Sequence, residues 1–122
     1  MEQEFTVWKV NVDSEIKEIF TLTSAEIPRE PNSLDERISY LDAQISRVGE
    51  LQWEAGKYLD RKTQEIISGS EGMKAYDIHK LVSLTPEKSM VDAIEKVLSN
   101  LKHQCDDSVS RLSYLKAELS IK

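Results

Sequence analysis

The sequence predicts a mainly α-helical protein: two long antiparallel coiled-coil helices form a helical hairpin, and a short N-terminal β-hairpin arm precedes them. Two stretches carry apolar residues at alternating steps of three and four, which is the spacing of a coiled-coil seam. A run of β-branched and aromatic residues comes before them. Prolines and a short Ser/Gly-rich stretch separate these segments, so the 122 residues divide into an arm at 1–32 and a helical hairpin at 33–122.

The arm is predicted to form a β-hairpin. Residues 5–12 (FTVWKVNV) are rich in strand-forming side chains, and Asn11, Asp13 and Ser14 supply turn chemistry. A second strand is predicted around residues 16–22, which contain Ile16, Phe20 and Leu22. The competing interpretation is a short helix capped by Ser14, with Ile16, Ile19 and Phe20 on one face. Of the two, the β-branched run favours the hairpin.

Prolines link the arm to the first long helix. Pro28 and Pro31 each fix φ and disfavour helix in the residue before them, which predicts an extended hinge. Ser33 is then the expected cap, because Glu36 stands three residues later at the spacing of a capping box. A helix over residues 34–67 would be roughly 50 Å long. Its seam consists of Leu34, Ile38, Leu41, Ile45, Val48, Gln52, Ala55, Leu59, Lys62 and Ile66.

A polar connector leads to the second long helix. Residues 68–72 (SGSEG) end the first helix, and a short helix is predicted within residues 73–84. Thr85-Pro86-Glu87 predicts a helix start, with Thr as the cap, Pro at the first position and an acid near the positive dipole end. The helix is predicted over residues 86–121. Its seam consists of Val91, Ile94, Leu98, Leu101, Cys105, Ser108, Leu112, Leu115 and Leu119.

The two helices carry more apolar surface than one hairpin can bury. Such residues lie beside both seams, so another surface must cover them, and self-association is the simplest explanation. The alternative is that the long helices pair between chains. The polar seam residues Gln52 and Ser108 either fix the register or mark a partly exposed seam. The flanking apolar residues are Leu51, Trp53, Tyr58, Ile67, Met90, Val97 and Val109.

Composition narrows the class of protein. The formal charge is −6, and all of that excess lies in residues 1–36, which hold nine acids and three bases. The sequence contains no run of about 18 uncharged residues, which a membrane span would need. The N-terminus lacks the pattern of a secretory signal. Cys105 is the single cysteine, so a reducing, cytoplasmic location is expected.

The sequence shows no constellation that an enzyme needs. It contains neither a nucleophile elbow nor a phosphate-binding glycine motif, and its four glycines are scattered. His103 and Cys105 stand two residues apart, so on a helix they point in different directions and do not share a metal ion. No catalytic residue, metal site or cofactor is therefore predicted.

A small basic cluster gives the one nucleic-acid signal. Lys57, Arg61 and Lys62 lie near the end of the first long helix, close to Trp53 and Tyr58. Basic groups neutralise phosphates and aromatic rings stack on bases, so the cluster is a candidate contact for single-stranded DNA. The alternative is a solvated helix end, where cations favour the negative end of the dipole.

The helical part of the chain resembles phage recombination mediator proteins of the UvsY type. The resemblance rests on two long helices, a polar connector with a Met-Lys restart and a cysteine within the last helix. It covers about residues 34–119, with local likeness at residues 54–62 (EAGKYLDRK), at 82–88 (VSLTPEK) and on to Leu115-Lys116. It implies a non-enzymatic, ring-forming protein that binds single-stranded DNA and helps to load a recombinase. Lys57, Arg61 and Lys62 stand where that family has its DNA-contacting basic residues.

Two functional hypotheses follow. The first is an oligomeric binding or assembly protein, with single-stranded DNA and a recombinase as the partners that the resemblance implies. The second is an acidic adaptor or inhibitor that docks on a basic surface of another protein through residues 1–36. The acidic arm and the pI near 5.0 depart from the mediator pattern.

Overall fold

A computed structural model describes residues 2–24 and 27–121, and four helices lie within those ranges: α1 (Glu2–Thr23), α2 (Pro31–Ser68), α3 (Ala75–Ser83) and α4 (Pro86–Ile121). The chain is therefore mainly helical, as predicted. The two long helices α2 and α4 pack together. Arg37 of α2 donates a hydrogen bond to Gln104 of α4, and the Cys105 thiol lies 3.5 Å from a carboxylate oxygen of Asp42.

The predicted β-hairpin is wrong. The segment forms one 22-residue helix, and no strand occurs in the part of the chain that the structure describes. Phe5, Val12 and Ile19 are seven residues apart and all buried, so they form the inward stripe of a helix. Burial of that stripe outweighs the strand preference of the β-branched residues, because such preferences depend on context. Ser14, the cap in the competing interpretation, lies in the middle of α1.

The predicted capping box at the start of α2 is also wrong. The helix begins at Pro31, two residues before the expected cap Ser33, and Glu30 in extended conformation is the cap residue. No side chain caps this end. Pro31 suits the first helical position, because its fixed φ matches a helix and its missing N–H has no partner there. It therefore opens the helix and does not extend the hinge.

The other helix ends follow the sequence signals. Gly69 is the C-cap of α2, and Gly72 in the following turn has φ of 79°, a conformation that favours glycine. Pro86 is the first residue of α4. The Thr85 hydroxyl accepts a hydrogen bond from the Lys88 N–H at 3.2 Å, which confirms Thr85 as the cap.

One hydrophobic core joins α1, α2 and α4. Phe5, Val12 and Ile19 belong to the same cluster of buried side chains as residues of the two long helices. Leu51 and Met90 lie in this cluster at 0% and 4% exposure. These two residues were expected to need a second chain, but α1 supplies a third apolar face within the same chain. The division into units at residues 1–32 and 33–122 stays a prediction.

Burial varies along the two predicted seams. Ser108 is fully buried, and its hydroxyl donates a hydrogen bond to the Gln104 carbonyl at 2.9 Å. Gln52 is half-buried, and Leu119 is exposed near the end of α4. The buried seam leucines, isoleucines and valine are Leu34, Leu41, Val48, Ile94, Leu101 and Leu112, and the half-buried ones are Ile38, Ile45, Leu59, Ile66, Val91, Leu98 and Leu115.

Candidate interaction surfaces

Polar side chains fasten α1 along α2. The indole N–H of Trp8 donates to a Glu54 carboxylate oxygen at 2.7 Å. Two nitrogens of Arg47 reach the two oxygens of Glu15 at 2.6 and 3.1 Å, which is a bidentate pair. The hydrogen bond to Glu15 raises the pKa of Arg47, so this guanidinium keeps its charge at any relevant pH.

An aromatic cluster lies where the start of α1 meets α2. The rings of Phe5 and Tyr58 are 5.4 Å apart between centroids in an edge-on arrangement, and those of Trp8 and Tyr58 are 4.9 Å apart. Such contacts stabilise packing beyond the area they bury. Burial is the main cause that raises the pKa of the Tyr58 hydroxyl. Tyr58, placed beside the first seam by sequence, is therefore engaged within the chain.

The structure separates the three predicted nucleic-acid residues. Lys57 and Arg61 line one open surface groove near the end of α2, while Lys62 is not among its lining residues. The Lys62 ammonium lies 3.4 Å from Glu65, and Arg61 lies 3.4 Å from Glu4 of α1. The groove also contains carboxylates, so its charge is mixed. Its lining residues are Lys57, Asp60, Arg61, Gln64, Glu65 and Ser68.

Lys57 and Trp53 are an exposed pair near this end of α2. The Lys57 ammonium lies 3.5 Å from the centre of the Trp53 ring, which is a cation–π contact. Trp53 is 65% exposed, so one face or edge of its indole remains open to solvent. An indole beside a cation is a pairing that stacks on a nucleobase and neutralises a phosphate.

An apolar groove lies between α1 and α4. Its cavity volume is about 290 Å³, and Phe20 on its lining is 63% exposed. Sequence reasoning missed this groove because it treated the segment as strands. The available signal was the helical spacing of Ile16, Ile19 and Phe20, which the competing interpretation had noted. The lining residues are Ile16, Ile19, Phe20, Thr23, Lys96, Val97, Asn100 and Leu101.

The cysteine and histidine of α4 do not form a site together. Cys105 is buried beside Asp42, and burial, followed by that carboxylate, raises the pKa of its thiol. His103 is exposed on another side of the helix. Within residues 2–24 and 27–121, no group of three or more His, Cys, Asp or Glu side chains is placed to hold a metal ion.

Two further findings complete the description of these surfaces. Among the helices described, none is both long enough and apolar enough to cross a membrane. No protein-family model, curated protein or solved structure matches the chain. Function is therefore proposed from the chemistry of the surfaces themselves.

Proposed function

We propose that this chain is a non-enzymatic helical assembly protein that acts by associating with copies of itself and with another protein. The carrying observation is the apolar groove between α1 and α4, with the large exposed ring of Phe20 on its lining. Water-exposed apolar grooves of this kind are typical of protein–protein contact sites. Further exposed apolar side chains support the same function: Val7, Leu22, Tyr76, Leu84, Tyr114 and Leu119.

The assembly unit we propose is an antiparallel hairpin of α2 and α4, with α1 packed along it. The order of the contacts supports this topology. Ile27, before α2, accepts a hydrogen bond from Arg111 near the end of α4. Gln52, in the second half of α2, shares a surface pocket with Glu95 and Leu98 in the first half of α4. These contacts join the segment before α2 to the end of α4, and the second half of α2 to the first half of α4, as in an antiparallel pair.

The mass of the protein in solution tests the assembly function. We expect sedimentation equilibrium at tens of micromolar to give a mass well above that of one chain, because self-association buries the exposed apolar side chains. A mass of 14.0 kDa over the whole concentration range would contradict self-association.

Contact with single-stranded DNA is the second candidate, and the exposed Trp53 beside Lys57 is the observation that favours it. The pairing of Arg61 and Lys62 with carboxylates weighs against a strong electrostatic site. Contact with a recombinase rests on the resemblance to mediator proteins alone. The adaptor function is less favoured, because Glu4 and Glu15 of α1 are paired with bases of α2 in this same chain.

Tryptophan fluorescence tests the DNA candidate with a built-in comparison. The chain has two tryptophans, and Trp8 is half-buried and hydrogen-bonded to Glu54. We expect an unlabelled single-stranded oligonucleotide to quench Trp53 and the effect to weaken as salt rises. A Trp53→Phe variant should lose the quenching, and a Trp8→Phe variant should keep it. Equal quenching in both variants, or none in the native protein, would contradict a DNA site at Trp53.

A further inference from the structure

We propose that the groove between α1 and α4 is the surface through which two copies of this chain bind each other about a two-fold axis, with Phe20 of each copy entering the groove of the other. This inference rests on the proposed self-association and names its surface. The occupant is thus a second copy of the chain, in contact through α1 and α4.

Phe20 and the groove lie on the same face of the molecule, and an apolar ring such as Phe20 suits an apolar groove. Phe20 is 63% exposed although it borders a cavity of about 290 Å³ lined by Ile16, Ile19, Val97 and Leu101. Burying an aromatic side chain removes about 150–250 Å² from water, so Phe20 gains from entering an apolar site. In a two-fold interface the same patch is used on both copies and must complement itself. A face that carries both an exposed ring and an apolar groove meets that condition.

An acid on α1 beyond the groove and a base on its α4 wall also complement each other. Asp13 is seven residues before Phe20 and so lies on the same stripe of α1, about two turns away. It is half-exposed and pairs along its own helix with Lys9 at 2.9 Å. Lys96 lines the α4 wall, and no other described residue forms an ion pair with it. When α1 of one copy faces α4 of the other, Asp13 meets Lys96 twice, once on each side of the axis.

Two lysine substitutions on one helix test the groove directly. Phe20→Lys places a charge in the proposed interface, while Val10→Lys places it at a similarly exposed position of α1 that does not line the groove. We expect sedimentation velocity over a concentration series to show association weakened at least about tenfold by Phe20→Lys. Val10→Lys should stay within about twofold of the native protein. Helical circular dichroism and the thermal midpoint of each variant show whether the fold is retained, and Phe20→Ala replaces Phe20→Lys if that variant unfolds.

The outcomes distinguish failure of the groove interface from failure of the proposed self-association. A native protein that stays monomeric overturns both the groove interface and the proposed self-association. A native protein that associates, with equal effects of Phe20→Lys and Val10→Lys, overturns the groove interface and leaves the assembly function standing.

A charge exchange tests the two-fold geometry. Asp13→Lys alone is expected to weaken association about threefold to tenfold, because it places a second cation near Lys96. Adding Lys96→Asp to the same chain should restore it, since the two-fold axis brings residue 13 of one copy to residue 96 of the other. Adding Lys102→Asp is the matched control, because Lys102 lines a different pocket, together with Gln52, and should not restore association. Failure of the Lys96 exchange to restore association would overturn the proposed arrangement.

Discussion

The helix α1 and the pair formed by α2 and α4 reach the helical state by different routes. The interface of α2 and α4 contains side chains with no exposed area at all, among them Leu41, Val48 and Ile94. The buried stripe of α1 keeps 3–8% of its surface exposed. Five valines and isoleucines and three threonines in α1 lower its intrinsic helix propensity. α1 is thus a helix because of the surface it packs on, and the long pair sets that surface.

The largest loss of stability is expected for a substitution in the interface of α2 and α4. Leu101 is 1% exposed in the core, and Leu101→Ala should lower the free energy of unfolding by about 2–5 kcal/mol. Denaturant unfolding followed by circular dichroism measures this change. Glu95→Ala, at an exposed position of the same helix, should change the value by less than about 0.5 kcal/mol. Equal losses for the two variants would show that α4 does not use Leu101 to pack on α2.

A smaller loss is expected where α1 is fastened to α2. Arg47 and Glu15 form a bidentate pair whose side chains are 41% and 31% exposed, so solvent screens much of the attraction. Arg47→Ala should therefore lower stability by about 1 kcal/mol or less. Amide hydrogen exchange should show the loss mainly in α1, because Arg47 joins α1 to the pair. A loss spread evenly over α2 and α4 would contradict this difference between the regions.

The smallest expected change is a gain in stability. Val10 is 60% exposed on α1, and Val10→Ala should raise the stability of that helix by about 0.5 kcal/mol, because alanine is the better helix former. The change is measured as slower amide exchange within residues 2–23. A β-strand at this position would be weakened by the same substitution. Faster exchange would therefore contradict the helical state of α1.

The sequence predicts the long pair well because its signals are local and repeated. Seam residues at steps of three and four, Gly69 at the end of α2 and Thr85 before Pro86 each act over one or two helical turns. The stripe of Phe5, Val12 and Ile19 is equally regular, but the β-branched and aromatic residues of this segment favoured strands. Propensity gave the wrong secondary structure where packing decided it.

The candidate surfaces were harder to predict because distant parts of the chain build them. Lys57 and Arg61 do share a groove, as their spacing of four suggested. The carboxylate that pairs with Arg61 comes from Glu4, 57 residues away, and local sequence patterns do not predict such a contact. The groove beside Phe20 likewise exists only because α1 lies next to α4. Both surfaces thus depend on where α1 packs on the long helices, which the sequence pattern does not predict.

Arg37 fastens the C-terminal end of α1. One guanidinium nitrogen, Nη2, lies 3.3 Å from the Thr23 carbonyl and 3.0 Å from the Gln104 side-chain oxygen, so it ties the last residue of α1 to both long helices. A cation at that end also favours the helix dipole. The opposite end is held by the ring contacts of Phe5 and Trp8 with Tyr58, beside an exposed pair of Glu4 and Arg61 at 3.4 Å. α1 is therefore held at its two ends by different chemistry, hydrogen bonds of one cation at Thr23 and ring contacts at Tyr58. Loss of the Arg37 side chain should free the end beside the groove and leave the end beside Tyr58 in place.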